Sequence, residues 1–329
     1  MQAESSEVSH DPILPEVKMQ VVPPTQPATA RVVQNTPCLN GKSSSFIRHI
    51  SIDVSGTPLE GNFRAGQAFG IVPPGEDARG RSEKVRLYSI SAPSRGEDGE
   101  GKVLSTTCKR VLDEVDKPGE DETTLEHQLI LGKCSNYLCD LQVGDEVQVT
   151  GPAGKRFLIP EDPSRHDYLF MATGTGIAPF RGMLMDLLDS PDPPISSEIH
   201  LVMGAPYTTD LLYHDYFVEL SKQHSNFHYH TVVSREIQAD GTKGGYIHHY
   251  LDRQIHLHEE LLSKDRTLMY MCGLAGMQLG VFKMLASRGL GEGYLKIKDD
   301  YLDVPPTDWD SKSIRRHVRP THRCMLEVY

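Results

Sequence analysis

The sequence predicts a β plus α/β protein of two domains, a small antiparallel barrel followed by a doubly wound parallel sheet. Three observations predict it. A chain of 329 residues suits about two domains at roughly 150 residues each. Residues 31–160 read as short alternating runs separated by Gly and Pro turns, the pattern of an antiparallel barrel or sandwich. Residues 161–329 alternate apolar strands with amphipathic helical segments, the pattern of a parallel sheet.

Residues 1–30 are rich in Pro, Ser, Glu and Val without period, and Val21-Val-Pro-Pro-Thr-Gln-Pro27 reads as an extended linker. With Glu4, Glu7, Asp11 and Glu16 against Lys18 as its only base, the stretch lacks the Arg-rich, acid-poor character of a transit peptide. A flexible, solvated tail is expected. In the barrel domain, strands are expected over Phe46–Val54, Ala68–Val72, Arg86–Ile90, Lys102–Cys108 and Asp145–Thr150, and the acidic stretch Asp113–Glu126 as a loop with one helical turn. In the second domain, strands Tyr168–Ala172, Glu198–Met203, Phe227–Val233 and Thr267–Met271 alternate with helices Pro179–Leu188, Thr209–Gln223, Tyr246–Leu262 and Ala275–Arg288. A terminal strand Cys324–Tyr329 closes the set.

Lys and Arg number 34 against 45 Asp and Glu, a net charge of −11, which excludes a nucleic-acid binder held by global basicity. No apolar run approaches the roughly 18 residues needed to span a bilayer, and the N-terminus lacks a signal-peptide pattern. Six scattered cysteines do not make a disulfide scaffold; reduced thiols in a cytoplasmic, monomeric protein are expected.

The strongest local motif is Gly174-Thr-Gly-Ile-Ala-Pro179, set between a buried-type strand and a helix. Its glycines let backbone approach a pyrophosphate, Pro179 fits the first helical turn, and free N–H groups there favour an anion. Gly204-Ala205-Pro206, Ser234-Arg235 and Cys272-Gly273-Leu274 end further strands of the same half and could line the same crevice. Arg235, Lys243 and Tyr246 suit a ribose phosphate monoester, which favours NADP over NAD. In the barrel half, Arg86-Leu-Tyr-Ser89 places Arg86 and Tyr88 on one side of a strand. Gly132-Lys-Cys-Ser-Asn136 reads as a helix N-terminus able to hold phosphate. Metal readings fail on spacing. Cys134 and Cys139 lack the third cysteine of an iron–sulfur set, and His228-Tyr-His230, His248-His249 and His256-Leu-His258 lack complementary ligands at a known spacing. No metal is assigned, and no Gly-x-Ser-x-Gly elbow marks a serine hydrolase.

Taken in order, Arg86-Leu-Tyr-Ser89, Gly132-Lys-Cys-Ser135, Gly174-Thr-Gly-Ile-Ala-Pro179, Ser234-Arg235, Met271-Cys-Gly-Leu274 and Glu327-Val-Tyr329 resemble the plant-type ferredoxin–NADP reductases, from residue 31 to residue 329. The resemblance implies an FAD-binding Greek-key barrel and an NADP-binding sheet, exchanging electrons between NADP(H) and a one-electron carrier, ferredoxin or flavodoxin. It implies that the segment Arg86, Leu87, Tyr88 and Ser89 binds flavin, with Arg86 on the pyrophosphate, Tyr88 against the ring and Ser89 near N5. Gly132, Lys133, Cys134 and Ser135 would surround the flavin phosphates and ring, Thr106, Thr107 and Cys108 its adenosine side, and Lys109 would reach the nucleotide. Thr173 and Thr175 would contact NADP and flavin, Ala205 and Pro206 the NADP backbone, and Ser234, Arg235, Lys243 and Tyr246 its 2′-phosphate and adenine, with Gly273 and Leu274 also in the cofactor site. The implied catalytic set is Ser89, Cys272, Glu327 and Tyr329, the tyrosine stacking on the flavin where nicotinamide must lie and moving aside. The sequence departs from the family pattern at Asp113, which stands where an adenine-stacking tyrosine is usual, at the paired glycines before Tyr246, and at Arg323-Cys-Met-Leu326.

Carriers of this kind are acidic, so attraction to an acidic enzyme requires local basic patches. Arg79, Arg81, Lys84 and Arg86 form one candidate, and Lys312, Arg315, Arg316, Arg319 and Arg323 a second. The reductase component of an oxygenase or other dedicated redox chain is an alternative function. A non-catalytic nucleotide-sensing module is a further one, disfavoured because Ser89, Cys272, Glu327 and Tyr329 are intact.

Overall fold

The computed structural model describes residues 10–39, 43, 45–77, 79–118, 125–189, 195–237, 241 and 243–329, with 114–118 and 125–128 described by backbone alone. Two compact units emerge. One comprises Glu16–Lys155 with Ala178–Asp186; the other comprises Arg156–Ile177 and Leu187–Tyr329 with the residues up to Pro15.

The first unit is built on strands β1 (Ala28–Pro37), β2 (Ile47–Asp53), β3 (Ala68–Val72), β4 (Arg86–Ser89), β5 (Val103–Lys109) and β8 (Glu146–Ala153). They form a six-stranded sheet in the order β4-β3-β8-β1-β2-β5, and its strand pairs are antiparallel. Its edges meet: the Thr106 hydroxyl donates to Ser89 O at 2.8 Å, and Ser91 N–H donates to Ser105 O at 2.8 Å. That contact brings the two edge strands, β4 and β5, together as in the expected barrel. Alternate residues such as Ile50, Ile52, Phe69, Ile71, Val147 and Val149 fill its core. Helix α1 (Lys133–Asp140) packs Leu138 into that core.

Two expectations are corrected here. Val22, inside the stretch read as linker, is 2% exposed and exchanges backbone hydrogen bonds with Gly151; one apolar side chain ahead of the prolines joins the barrel core. The acidic stretch is not a loop with a helical turn in its described part. Leu112–Pro118 (β6) and Leu125–Leu131 (β7) pair as an antiparallel hairpin; residues 119–124 of that expectation lie outside the described residues.

The second unit carries β9 (Asp167–Thr173), β10 (Ile199–Ala205), β11 (Phe227–Val233), β12 (Thr267–Gly273) and β15 (Cys324–Val328). They form a five-stranded sheet in the order β11-β10-β9-β12-β15, parallel throughout. Central strands β9, β10 and β12 are buried along almost their whole length, which explains their unbroken apolar runs. The connecting helices are α2 (Ile177–Leu188), α3 (His214–Gln223), α4 (Ile247–Arg253), α5 (Ile255–Ser263) and α6 (Ala275–Ser287). The single helix expected over Tyr246–Leu262 is two, divided at Gln254, whose φ of −103° and ψ of 28° are not helical. The helix expected from Thr209 begins at His214, after a 3-10 turn at Thr208–Asp210. Before the last strand come a short strand β13 (Leu295–Ile297), helix α7 (Ser311–His317) and strand β14 (Val318–Pro320), the strands pairing antiparallel. Their brevity left no period to detect in the sequence.

Candidate functional site

In the parallel sheet the chain runs outward from β9 to β10 and β11, then returns to β12 on the other side of β9. That reversal opens a crevice at the carboxyl ends of β9 and β12, where such sheets bind ligands. β9 ends at Thr173 and passes through a 3-10 turn, Gly174–Gly176, into α2. A Cβ on Gly176 would overlap the carbonyl of Cys272, and one on Gly273, whose φ is +134°, would overlap the Thr173 hydroxyl. Only glycine allows these two loops to cross backbone against backbone. Leu274 N–H then donates to Thr173 Oγ1 at 2.9 Å.

The C-terminal residues join this crossing. Parallel pairing sets Glu327 beside Cys272 and Val328 beside Gly273. Tyr329 N–H donates to Gly273 O at 2.9 Å, and Ala275 N–H to Tyr329 O at 3.0 Å. The Tyr329 and Thr175 hydroxyls share a hydrogen bond of 2.8 Å, while the tyrosine remains 64% exposed. Its backbone is fixed, and its hydroxyl is held by Thr175 and by a backbone hydrogen bond from Gly176. Burial, with the nearby Glu327, pushes the Cys272 thiol well above its ordinary range, so it is no thiolate nucleophile. Burial raises the Glu327 carboxyl to about 7, leaving it poised to hold or release a proton near neutrality.

At the end of β11, Ser234 N–H donates to Ala205 O at 3.0 Å and Arg235 N–H to Pro206 O at 2.9 Å, tying the strand-end segments together. Arg235, Lys243 and Tyr246 are exposed; neither cation pairs with a carboxylate among the described residues. The paired glycines have a physical reason. A Cβ on Gly244 would overlap Val233 O, and Gly245 N–H donates to that carbonyl at 3.1 Å, so the loop returns tightly to its strand. Tyr207 was missed by sequence reasoning: the Arg235 guanidinium lies 6.0 Å from its ring centroid. The signal was an aromatic residue directly after Ala205-Pro206.

In the barrel unit, β4 is an edge strand. Arg86 and Leu87 are exposed, Tyr88 and Ser89 half-buried. Arg86 donates to Lys84 O at 3.0 Å, and the Ser89 hydroxyl has no hydrogen-bond partner among the described residues. Helix α1 is capped by Gly132 without a side-chain bond, which leaves its first N–H groups without an intrahelical partner. A Cβ on Gly132 would meet the Ser135 hydroxyl and Val111, each at 2.7 Å. The Ser135 hydroxyl itself accepts from Val111 N–H at 3.1 Å and donates to Gly132 O at 3.1 Å; it braces the turn. Thr106, Thr107 and Cys108 are buried in β5, with Lys109 exposed beyond them. Lys133 pairs with Glu83.

Each unit thus fits a nucleotide cofactor: a glycine turn at a helix start in the barrel, and a glycine crossing with two cations unpaired among the described residues in the parallel-sheet unit. Residues 170–283 match the model of the oxidoreductase NAD-binding domain. The chain is 34% identical over 323 residues to the ferredoxin–NADP reductase of a Picosynechococcus species, covering 95% of this chain and 72% of the relative. It is 32% identical over 317 residues to the ferredoxin–NADP reductase of a Spirulina species, covering 95% and 99%. Among solved structures, ferredoxin–NADP+ reductase from Plasmodium falciparum superposes with a TM-score of 0.64 at 22% identity, covering 94% of this chain and 99% of that one. At that identity the likeness is one of fold.

Proposed function

The chain belongs to the ferredoxin–NADP reductase family, and from that premise we infer that it is an FAD-dependent oxidoreductase exchanging electrons between NADP(H) and ferredoxin. FAD, when bound, supplies the chemistry that links a two-electron hydride to single-electron transfers, which no side chain offers. The chain's own residues bind, orient and gate. The observation that carries the reading is the crossing of Gly174–Gly176 with Cys272–Leu274, with Tyr329 held beside it by Thr175.

Arg86, the uncapped N–H groups after Gly132 and the Ser89 hydroxyl, unpartnered among the described residues, are the groups we assign to FAD. Arg235 and Lys243 supply paired positive charge for a 2′-phosphate, with Ser234 donating and Tyr246 stacking on adenine. Tyr329 keeps the nicotinamide position covered. Its displacement breaks the hydroxyl contacts to Thr175 and Gly176 while the backbone stays tied to Gly273 and Ala275. Cys272, buried and neutral, contributes shape rather than nucleophilic chemistry. The reading extends to flavodoxin as an alternative carrier and to a monomer in a reducing cytoplasm. The latter is supported by cysteines that form no disulfide among the described residues, five of them buried.

The purified protein is expected to be yellow and to be reduced by NADPH far faster than by NADH. Arg235→Ala should raise the KM for NADPH at least about tenfold, the value of one charge-assisted phosphate contact, with little change for NADH. A colourless, folded preparation that FAD does not reconstitute overturns the reading; an unchanged KM overturns the 2′-phosphate assignment alone.

A further inference from the structure

Outside the nucleotide crevice, the core of the parallel-sheet unit changes character at one place. On the face of β10 and β11 that carries the core residues Val202 and Val232, the positions two before them are His200 and His230, as strand alternation requires. His200 is 7% exposed, and His258, from α5, is 0% exposed. The ring centroids lie 5.5 Å apart for His200 and His230, 5.2 Å for His200 and His258, and 5.3 Å for His230 and His258. The buried nitrogens are uncommitted: His200 Nδ1, His230 Nε2 and both ring nitrogens of His258 have no hydrogen-bond partner among the described residues. One nitrogen from each of these residues lies within 4.8 Å of the others. Native interiors rarely leave so many polar atoms unpaired at one point.

We propose that His200, His230 and His258 form a zinc(II) site. Three imidazoles with an open fourth position are an established donor set for zinc, with Zn–N distances of about 2.0–2.1 Å that bring tetrahedral nitrogens about 3.3 Å apart. The zinc would draw the nitrogens, now within 4.8 Å of one another, to that spacing through rotation of the rings. Burial, reinforced by the neighbouring histidines, lowers His200 to about 3 and His230 and His258 to about 4, so all three present neutral lone pairs at pH 7. The second group of possible ligands, Glu198, His200 and His228, takes a supporting part. Glu198 Oε1 lies 3.3 Å from His200 Nε2 and 2.6 Å from His228 Nε2. By accepting from His200 Nε2–H it fixes the tautomer that turns Nδ1 toward the metal, the outer-shell role carboxylates play for zinc-bound histidine. Spacing along the sequence hid the site because its ligands come from three separate elements.

His200 lies five residues before the carboxyl end of β10, about 16 Å at the rise of a strand. The zinc would therefore pin α5 to β10 and β11 rather than act on the nucleotide. Its success or failure is separable from the reductase reading.

The test is metal analysis of holoenzyme purified without a metal-affinity step, followed by chelator treatment and titration with zinc chloride. One zinc per chain is expected, bound more tightly than about 10 µM, with a rise in thermal midpoint on binding and a tetrahedral visible band when cobalt(II) replaces zinc. His230→Gln should abolish binding, and His258→Phe, which preserves ring volume, should do the same. Glu198→Gln should weaken it about 10–100-fold. The half-buried His224→Gln, outside the cluster, should bind as wild type, and NADPH oxidation with a small acceptor should be unchanged in all four variants. Failure of the stripped protein to bind zinc, or binding that survives both His230→Gln and His258→Phe, overturns the proposal.

Discussion

Glu327 carries the most informative titration in the molecule. Burial raises its carboxyl from an ordinary 4.5 to about 7, so the folded protein holds this proton more tightly than the unfolded chain. Stability linked to this group is therefore greatest below pH 4.5 and falls as pH rises toward and through 7, the reverse of a salt-bridged carboxylate. Glu327→Gln removes that penalty. Thermal midpoints measured at pH 5 and pH 8 should show the variant gaining several degrees on wild type at pH 8 and little at pH 5, consistent with an effect of up to roughly 3 kcal/mol. An equal gain at both pH values would mean that the carboxyl is not held protonated. Local motifs were legible at this scale: the glycines at 174, 176 and 273 were visible because backbone crossing demands them in a fixed strand-to-helix setting. The Glu327 environment was not, since it depends on the distant pairing of Cys272 with Glu327 in register. Arg323 was misread for a related reason. Placed among surface bases in the sequence, it is 9% exposed and donates to Thr267 O, Lys264 O and Asp265, so its charge is spent inside the unit.

Among the elements, α2 shows how a helix read correctly from its apolar period can be held by something the period does not reveal. Residues 178–186 of α2 belong to the barrel unit. Arg181 donates to Glu97 at 2.6 and 3.2 Å and to Ser91 O at 3.0 Å, and a Cβ on Gly182 would overlap Ala92 O. Desolvation pushes the Glu97 carboxyl up, yet Arg181, Ser105 and His49 together hold it below its ordinary value. Arg181→Ala strands this carboxylate with its main counter-charge gone, so a loss of about 3–5 kcal/mol is expected. Adding Glu97→Gln should recover part of it, which thermal or urea unfolding of the single and double variants would measure; equal losses would assign the effect to packing. Elements whose pattern stands alone were legible, as with β9 or α6. The β6–β7 hairpin was not: Leu112-Asp-Glu-Val-Asp-Lys-Pro118 has too few β-branched residues to read as a strand, and pairing with Leu125–Leu131 supplies what its composition lacks. Strand β1 was hidden likewise, its buried residues Ala30 and Val32 following a proline-rich stretch that reads as linker.

At the scale of the whole molecule, a net charge of −11 opposes approach of an acidic carrier, so association depends on where the bases are free. Arg81 is spent on Asp77, 2.8 Å away, leaving Arg79, Lys84 and Arg86 exposed in the barrel unit. In the other unit, Lys312, Arg315 and Arg316 lie at helical spacing on α7 and share one side of it, with exposed Arg319 following. Local charge speeds encounter and is screened over about 10 Å at 0.1 M salt. Reduction of ferredoxin should therefore slow steeply as salt rises, while NADPH oxidation by a small neutral acceptor barely changes. The double variants Arg79→Glu/Lys84→Glu and Arg315→Glu/Arg316→Glu should each lower the second-order rate with ferredoxin about tenfold at low salt and converge on wild type at high salt. Stopped-flow rates across a salt series decide the matter: a rate indifferent to salt would remove electrostatic docking from the account, and a loss confined to one variant would assign the carrier's approach to that unit's patch.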